Sequence, residues 1–84
     1  MTAEEVRALV EAGIDGAQAE VDGAGDKFDI RVVAAAFDGK RPVARQQLVY
    51  GCINERISDG SIHAVSIQTY TPDEWETASR RGLI

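Results

Sequence analysis

Ile62-His63-Ala64-Val65-Ser66-Ile67-Gln68-Thr69-Tyr70-Thr71-Pro72-Asp73-Glu74-Trp75 is the stretch whose reading decides the fold. From Ile62 onward its residues alternate, with Val65, Ile67 and Thr69 on one face and Ala64, Ser66, Gln68 and Tyr70 on the other. A period of two marks a half-buried strand. That strand stops where Thr71 caps a helix, with Pro72 at the first helical position and Glu74 placed to complete a capping box. Tyr70 before the cap and Trp75 after it have the spacing of a hydrophobic staple. The chain therefore turns from strand to helix at Tyr70/Thr71.

Upstream of this stretch, Val49, Ile53 and Ile57 recur every four residues, flanked by Leu48 and Cys52. They predict an amphipathic helix that Asp59-Gly60 ends. Gly51 lies inside it, at about 1 kcal/mol against alanine, which suggests close packing or a join between two shorter helices. Phe37-Asp38-Gly39-Lys40-Arg41-Pro42 leads into that helix, with Pro42 acceptable near its first turn. A strand from Phe28 to about Ala35 precedes it, with Phe28, Ile30, Val32 and Ala34 on one face. Ala17, Ala19 and Val21 alternate in a shorter strand, and the glycine-rich loop Asp22-Gly23-Ala24-Gly25-Asp26 joins the two as an antiparallel hairpin. That loop opens no helix, so its glycines do not read as a phosphate cradle. At the start, Thr2 and Glu5 form a capping box with Met1 and Val6 as its staple. Val6, Leu9 and Val10 then make the apolar face of a helix over residues 3–12, with Gly13 as its stop.

Strand, crossover helix and strand in one sheet require the two strands to be parallel. The expected fold class is therefore α/β (α+β), in the order α-β-β-α-β-α. Its small three-stranded mixed sheet is covered by helices on one face, in one domain spanning residues 1–84.

Composition narrows the function. No apolar run approaches the roughly 20 residues of a membrane span, and the acidic start Met1-Thr2-Ala3-Glu4-Glu5 lacks the order of a signal peptide. A cytoplasmic protein is expected. Cys52 is the one cysteine among 84 residues, which excludes an internal disulfide and an all-cysteine metal site. The formal net charge of −5 disfavours a general phosphate-binding surface. Lys40, Arg41 and Arg45 form a local basic cluster suited to phosphate or to an acidic partner, and Arg80 and Arg81 form another.

The single histidine would have to serve every role in a nucleophilic triad, and the glutamates fall on helix exteriors or caps. No enzyme is expected. Cys52, on the apolar side of its helix, reads as a small buried hydrophobe. Trp75 and Tyr70 read as packing residues rather than as a platform for bases. His63 stands at the mouth of its strand, an imidazole able to ligate a metal but unable to fill a tetrahedral shell by itself.

Phe37-Asp38-Gly39-Lys40, Val43-Ala44-Arg45-Gln46-Gln47-Leu48-Val49-Tyr50, Ile62-His63-Ala64-Val65-Ser66-Ile67 and Thr69-Tyr70-Thr71-Pro72-Asp73-Glu74-Trp75, in that order, resemble the BolA family. Gln46-Gln47-Leu48-Val49-Tyr50-Gly51 is most similar to its IbaG/YrbA-type branch. The resemblance covers about residues 4–77 and implies a class II KH-like fold. It also implies partnership with a monothiol, CGFS-type glutaredoxin around a shared [2Fe-2S] cluster, in cluster transfer or iron homeostasis signalling. His63 matches the family's cluster ligand, while the partner's cysteine and a glutathione thiolate supply other ligands. Where IbaG-type chains carry a further loop histidine, this sequence has Lys27, and an alkylammonium offers iron no lone pair near neutral pH. Asp22 and Asp26 offer only hard oxygens, which suit iron–sulfide chemistry poorly. The alternative the resemblance carries is a DNA-binding transcriptional regulator of the stress response. Gly39-Lys40-Arg41-Pro42 lacks the second glycine with which KH-like folds grip a nucleic-acid backbone, so that alternative ranks second.

Overall fold

The computed structural model describes residues 1–80. Its elements are α1 (Ala3–Gly13), β1 (Gln18–Ala24), β2 (Lys27–Val33), a 3₁₀ turn (Ala35–Phe37), α2 (Pro42–Ser58), β3 (Ala64–Tyr70) and α3 (Pro72–Arg80). The sheet order is β1-β2-β3, with β1 antiparallel and β3 parallel to β2. The expected α-β-β-α-β-α order and mixed sheet are those observed. Among the described residues no helix is long and apolar enough to cross a membrane.

Local chemistry explains where the helices begin. Thr2 caps α1 in a reciprocal box with Glu5, each side chain accepting from the other's backbone N–H. Thr71 and Glu74 repeat the device at α3, at 2.8 and 3.2 Å. The Tyr70 and Trp75 rings meet edge to face, 5.4 Å apart. α2 instead starts on Pro42 behind Arg41, which makes no side-chain cap.

The core lies between one face of the sheet and the two longer helices. Phe28, Ile30 and Val32 of β2 meet Val6, Val10, Val49 and Ile53, all at most 3% exposed. Each such side chain contributes about 1.5–3 kcal/mol of burial. Phe37 and Ile62, at 0% and 1% exposed, close the ends of this core from the 3₁₀ turn and the approach to β3.

Several expectations are corrected by tertiary contacts. β2 ends at Val33 rather than near Ala35, because the Ala34 N–H turns to the Tyr70 carbonyl at 3.0 Å and the chain tightens into the 3₁₀ turn. The hairpin loop shrinks to Gly25-Asp26, since Asp22, Gly23 and Ala24 stay paired with Asp29, Phe28 and Lys27. Gly23 permits this: its φ is 126°, and a Cβ there would strike the Lys27 carbonyl. β3 starts at Ala64, two residues later than the alternation suggests. Ile57 and Leu48, at 36% and 38% exposed, drop out of the buried stripe of α2. The helices do not all share one face: α1 and α2 cover the core face, whereas Trp75 of α3 stacks on Arg31, whose side chain belongs to the opposite, open face.

The two helical glycines have reasons other than those expected. Gly13 ends α1, yet what it provides is room, for a Cβ there would lie 2.5 Å from Cys52 Sγ across the α1–α2 contact. Gly51 sits within one continuous helix, and a Cβ there would meet nothing within 4 Å. Opposite stability changes are therefore expected. Gly51→Ala raises stability by about 1 kcal/mol. Gly13→Ala lowers it by about 1–3 kcal/mol through overpacking, and Cys52→Ala in the same chain recovers most of that loss. Chemical denaturation of the single and double variants measures all three.

Candidate functional site

His63 and Lys27 are 36 positions apart in the chain and become neighbours through the parallel register. Lys27 stands level with Ala64, the residue after His63. The Asp26 carbonyl accepts from both the His63 N–H, at 2.6 Å, and the Ala64 N–H, at 3.1 Å. One backbone oxygen thus ties the hairpin tip to the mouth of β3 and holds His63 just outside the strand. Ile62 beside it is 1% exposed and its N–H donates to the Arg56 carbonyl at 3.0 Å. The histidine backbone is pinned on both sides while its side chain remains exposed.

The donor set around this position is small. Among the described residues, no three His, Cys, Asp or Glu side chains converge on one point where a metal ion could be held. Cys52 is remote from it: its Sγ packs 3.3 Å from the Leu48 carbonyl and 3.9 Å from the Val10 carbonyl, between α2 and α1. Burial pushes that thiol up from its ordinary value, so it resists forming the thiolate that metals bind. The residues present fit one corner of a ligand set, the imidazole of His63.

The basic cluster divides. Lys40 and Arg41 are exposed at the start of α2. The Arg45 side chain is only 13% exposed and fully engaged. Its Nη1 and Nη2 donate to the two oxygens of Glu74 at 2.6 and 3.3 Å, and its Nε donates to the Lys40 carbonyl at 2.9 Å. Arg45 is thus a fastener between the α2 and α3 starts, and it does not serve with Lys40 and Arg41 as a free cation. Nothing in the sequence flags this pair, because 29 positions separate its members. Arg80 is paired with Glu76 within α3, and Arg81 lies outside the described residues.

Trp75 is also accounted for by packing. The Arg31 guanidinium lies 4.2 Å from the centre of its ring, with Tyr70 at its edge, and Glu20 pairs with Arg31 at 2.7 Å. Only half-buried, Trp75 is less enclosed than a core anchor, so its truncation forfeits about 1–2 kcal/mol from the aromatic and cation–π contacts. Beside Arg31 the open face forms a shallow depression of about 340 Å³, lined by Glu20, Asp22, Asp29, Ser66 and Gln68 among others. Asp22 and Asp29 stand directly opposite each other in the register, and this acidic face repels phosphate.

Residues 11–74 match the family profile described as BolA-like protein. The chain belongs to the BolA family. Over 82 residues it is 43% identical to a protein of the rpoN–murA intergenic region of Acinetobacter guillouiae, across 98% of this chain and 99% of that relative. It is 41% identical over 71 residues to the acid stress protein IbaG of Escherichia coli (strain K12), 84% of each chain. A BolA homologue from Coxiella burnetii has the same fold, with a TM-score of 0.80 and 31% identity over 90% of this chain and 97% of that one. The resemblance to the IbaG-type branch therefore holds over most of this BolA-family chain, and the sheet that sets His63 beside Lys27 is the BolA sheet.

Acid should loosen the attachment of α3 in this BolA fold. The Arg45 guanidinium, followed by the Thr71 N–H, holds the Glu74 carboxyl below its ordinary value near 4.5. A lowered folded-state value means that the contact stabilises above about pH 4.5 and is lost as pH falls through the lowered value. The expected outcome is a change in Trp75 fluorescence below about pH 4.5, before the far-ultraviolet helix signal collapses. Glu74→Gln removes that step.

Proposed function

We propose that this BolA-family chain is a non-enzymatic partner of a monothiol glutaredoxin and contributes His63 as one ligand to a shared [2Fe-2S] cluster. The observation that carries the reading is the state of His63: its backbone is pinned by the Asp26 carbonyl, yet its ring stands exposed at the mouth of β3. Pre-positioning of that kind lets an imidazole donate to an iron that a partner's thiolates already hold. Tetrahedral iron–sulfur ligation asks for more donors than this chain provides, with its one cysteine packed between helices and Lys27 at the loop position. A protein partner and glutathione would supply the remainder. The bound cluster is cargo or signal, and this chain's share is to orient one nitrogen and present a docking surface. Kinship with an acid stress protein supports placing that role in a stress response.

Co-expression with a monothiol glutaredoxin, followed by the ultraviolet–visible spectrum of the co-purified complex, tests this. His63→Ala is expected to alter or abolish the cluster bands while thermal unfolding stays unchanged, because an exposed ring buries little. Lys27→His is expected to lengthen the life of the cluster by adding a second imidazole. Unchanged spectra and partner affinity in both variants would overturn the assignment of His63.

DNA binding is the second reading, favoured by the exposed Lys40 and Arg41 at the start of α2. With Arg45 occupied, about two phosphate contacts remain, so log affinity for duplex is expected to fall with log salt at a slope of about −2. A slope of about −6 or steeper with sequence selectivity at physiological salt would reverse the order of the two readings.

A further inference from the structure

β3 is an edge strand, with β2 as its one strand neighbour among the described residues. Natural edge strands are guarded by a lysine, a proline, a bulge, shortness or a covering helix or loop, because their unpaired N–H and C=O groups template another strand. Within Ala64–Tyr70 itself the sequence supplies no guard. The strand is seven residues without charge or proline, in unbroken one-to-one register with β2. The opposite edge strand, β1, carries Glu20 and Asp22 and a glycine. One edge of the sheet is guarded and the other is bare.

The helix above the bare edge is bare in the same sense. Val43, Tyr50 and Ile57 of α2 are 67%, 36% and 36% exposed. They follow one another at intervals of about two helical turns, with Gln46 and Asn54 between them, so an uncharged stripe runs for about 21 Å. β3 itself is about 23 Å long. Cys52 faces α1, and Tyr50, two residues earlier, points about 200° away from it. Since α1 lies over β1 and α2 over β3, this stripe overhangs the free strand edge.

We infer that the combined surface pairs with a second copy of the chain, β3 antiparallel to β3, with α2 laid against α2 above the join. The spacing reads alike from both ends, as an isologous contact requires and a foreign partner does not. A two-fold axis at Tyr50 sets Val43 against the partner's Ile57 and Gln46 against the partner's Asn54. An antiparallel strand pair centred on Ile67 sets Val65 against the partner's Thr69 and Ser66 against the partner's Gln68, which keeps core face beside core face. About a dozen residues a side is roughly half of a standard interface. The pair therefore forms weakly, with a dissociation constant of roughly 10–1,000 μM.

Sedimentation velocity of the full chain tests this, from about 10 μM to about 1 mM protein and at about 20 and 500 mM salt. A dimer that grows with concentration is expected, and it tightens severalfold with salt, because two copies of net charge −5 repel and the contact itself carries no charge. Tyr50→Lys and Gln68→Lys, both at exposed positions, are each expected to weaken it at least tenfold with unfolding temperature unchanged. Gln68→Lys alone decides the matter if the helix variant fails to fold. Monomer throughout, a dimer indifferent to these lysines, or one that weakens with salt would overturn the inference.

Discussion

A parallel strand pair cannot be closed by a tight turn, so its second strand must return across the length of the sheet through a crossover. The pairing of β2 with β3 imposes that constraint here, and much of the structure answers to it. α2 exists to make the crossing, and its 17 residues carry the chain from the end of β2 back to the level where β2 began. The same register brings the hairpin tip to the mouth of β3, where one carbonyl, that of Asp26, serves two N–H groups. The neighbourhood of His63 and Lys27 is thus a by-product of strand pairing.

Because β3 has β2 as its one strand neighbour among the described residues, the crossover also leaves an edge. α2 lies over that strand with one side against α1 and the other, carrying Val43, Tyr50 and Ile57, exposed. Cys52 and Gly13 form the tight side, where one added methyl group would collide, while Val43, Tyr50 and Ile57 form the loose side. The stripe Val49, Ile53, Ile57 therefore splits, with two residues in the core and the third at its margin. A helix wheel reports which side chains share a face, and the neighbours decide how much of that face is covered.

The charges follow a similar logic. Arg45, Arg31 and Glu74 serve to attach α3, which buries no residue fully and is held by an ion pair, a capping box and a cation–π contact. Such contacts are weak singly, and those made by the Glu74 carboxylate are sensitive to pH. An attachment of this kind suits a helix that has little apolar surface to bury. It also removes Arg45 from the basic cluster that it forms in the sequence with Lys40 and Arg41.

By itself the sequence determined what depends on near neighbours. The caps at Thr2 and Thr71, the staple of Tyr70 on Trp75, the alternation of β3 and the α-β-β-α-β-α order all rest on residues within a turn or two of one another. The parallel sense of β3 followed too, since crossover geometry allows little else. His63 stood out as the one histidine, and the ordered motifs pointed to BolA. Only the tertiary structure decided the matters that distant residues settle: that Gly13 makes room for Cys52, that Gly51 faces nothing, and that Arg45 belongs to Glu74. Periodicity encodes the face on which a side chain lies. Which group from another element meets it there is fixed by packing, where short-range contacts between segments tens of residues apart choose the partner.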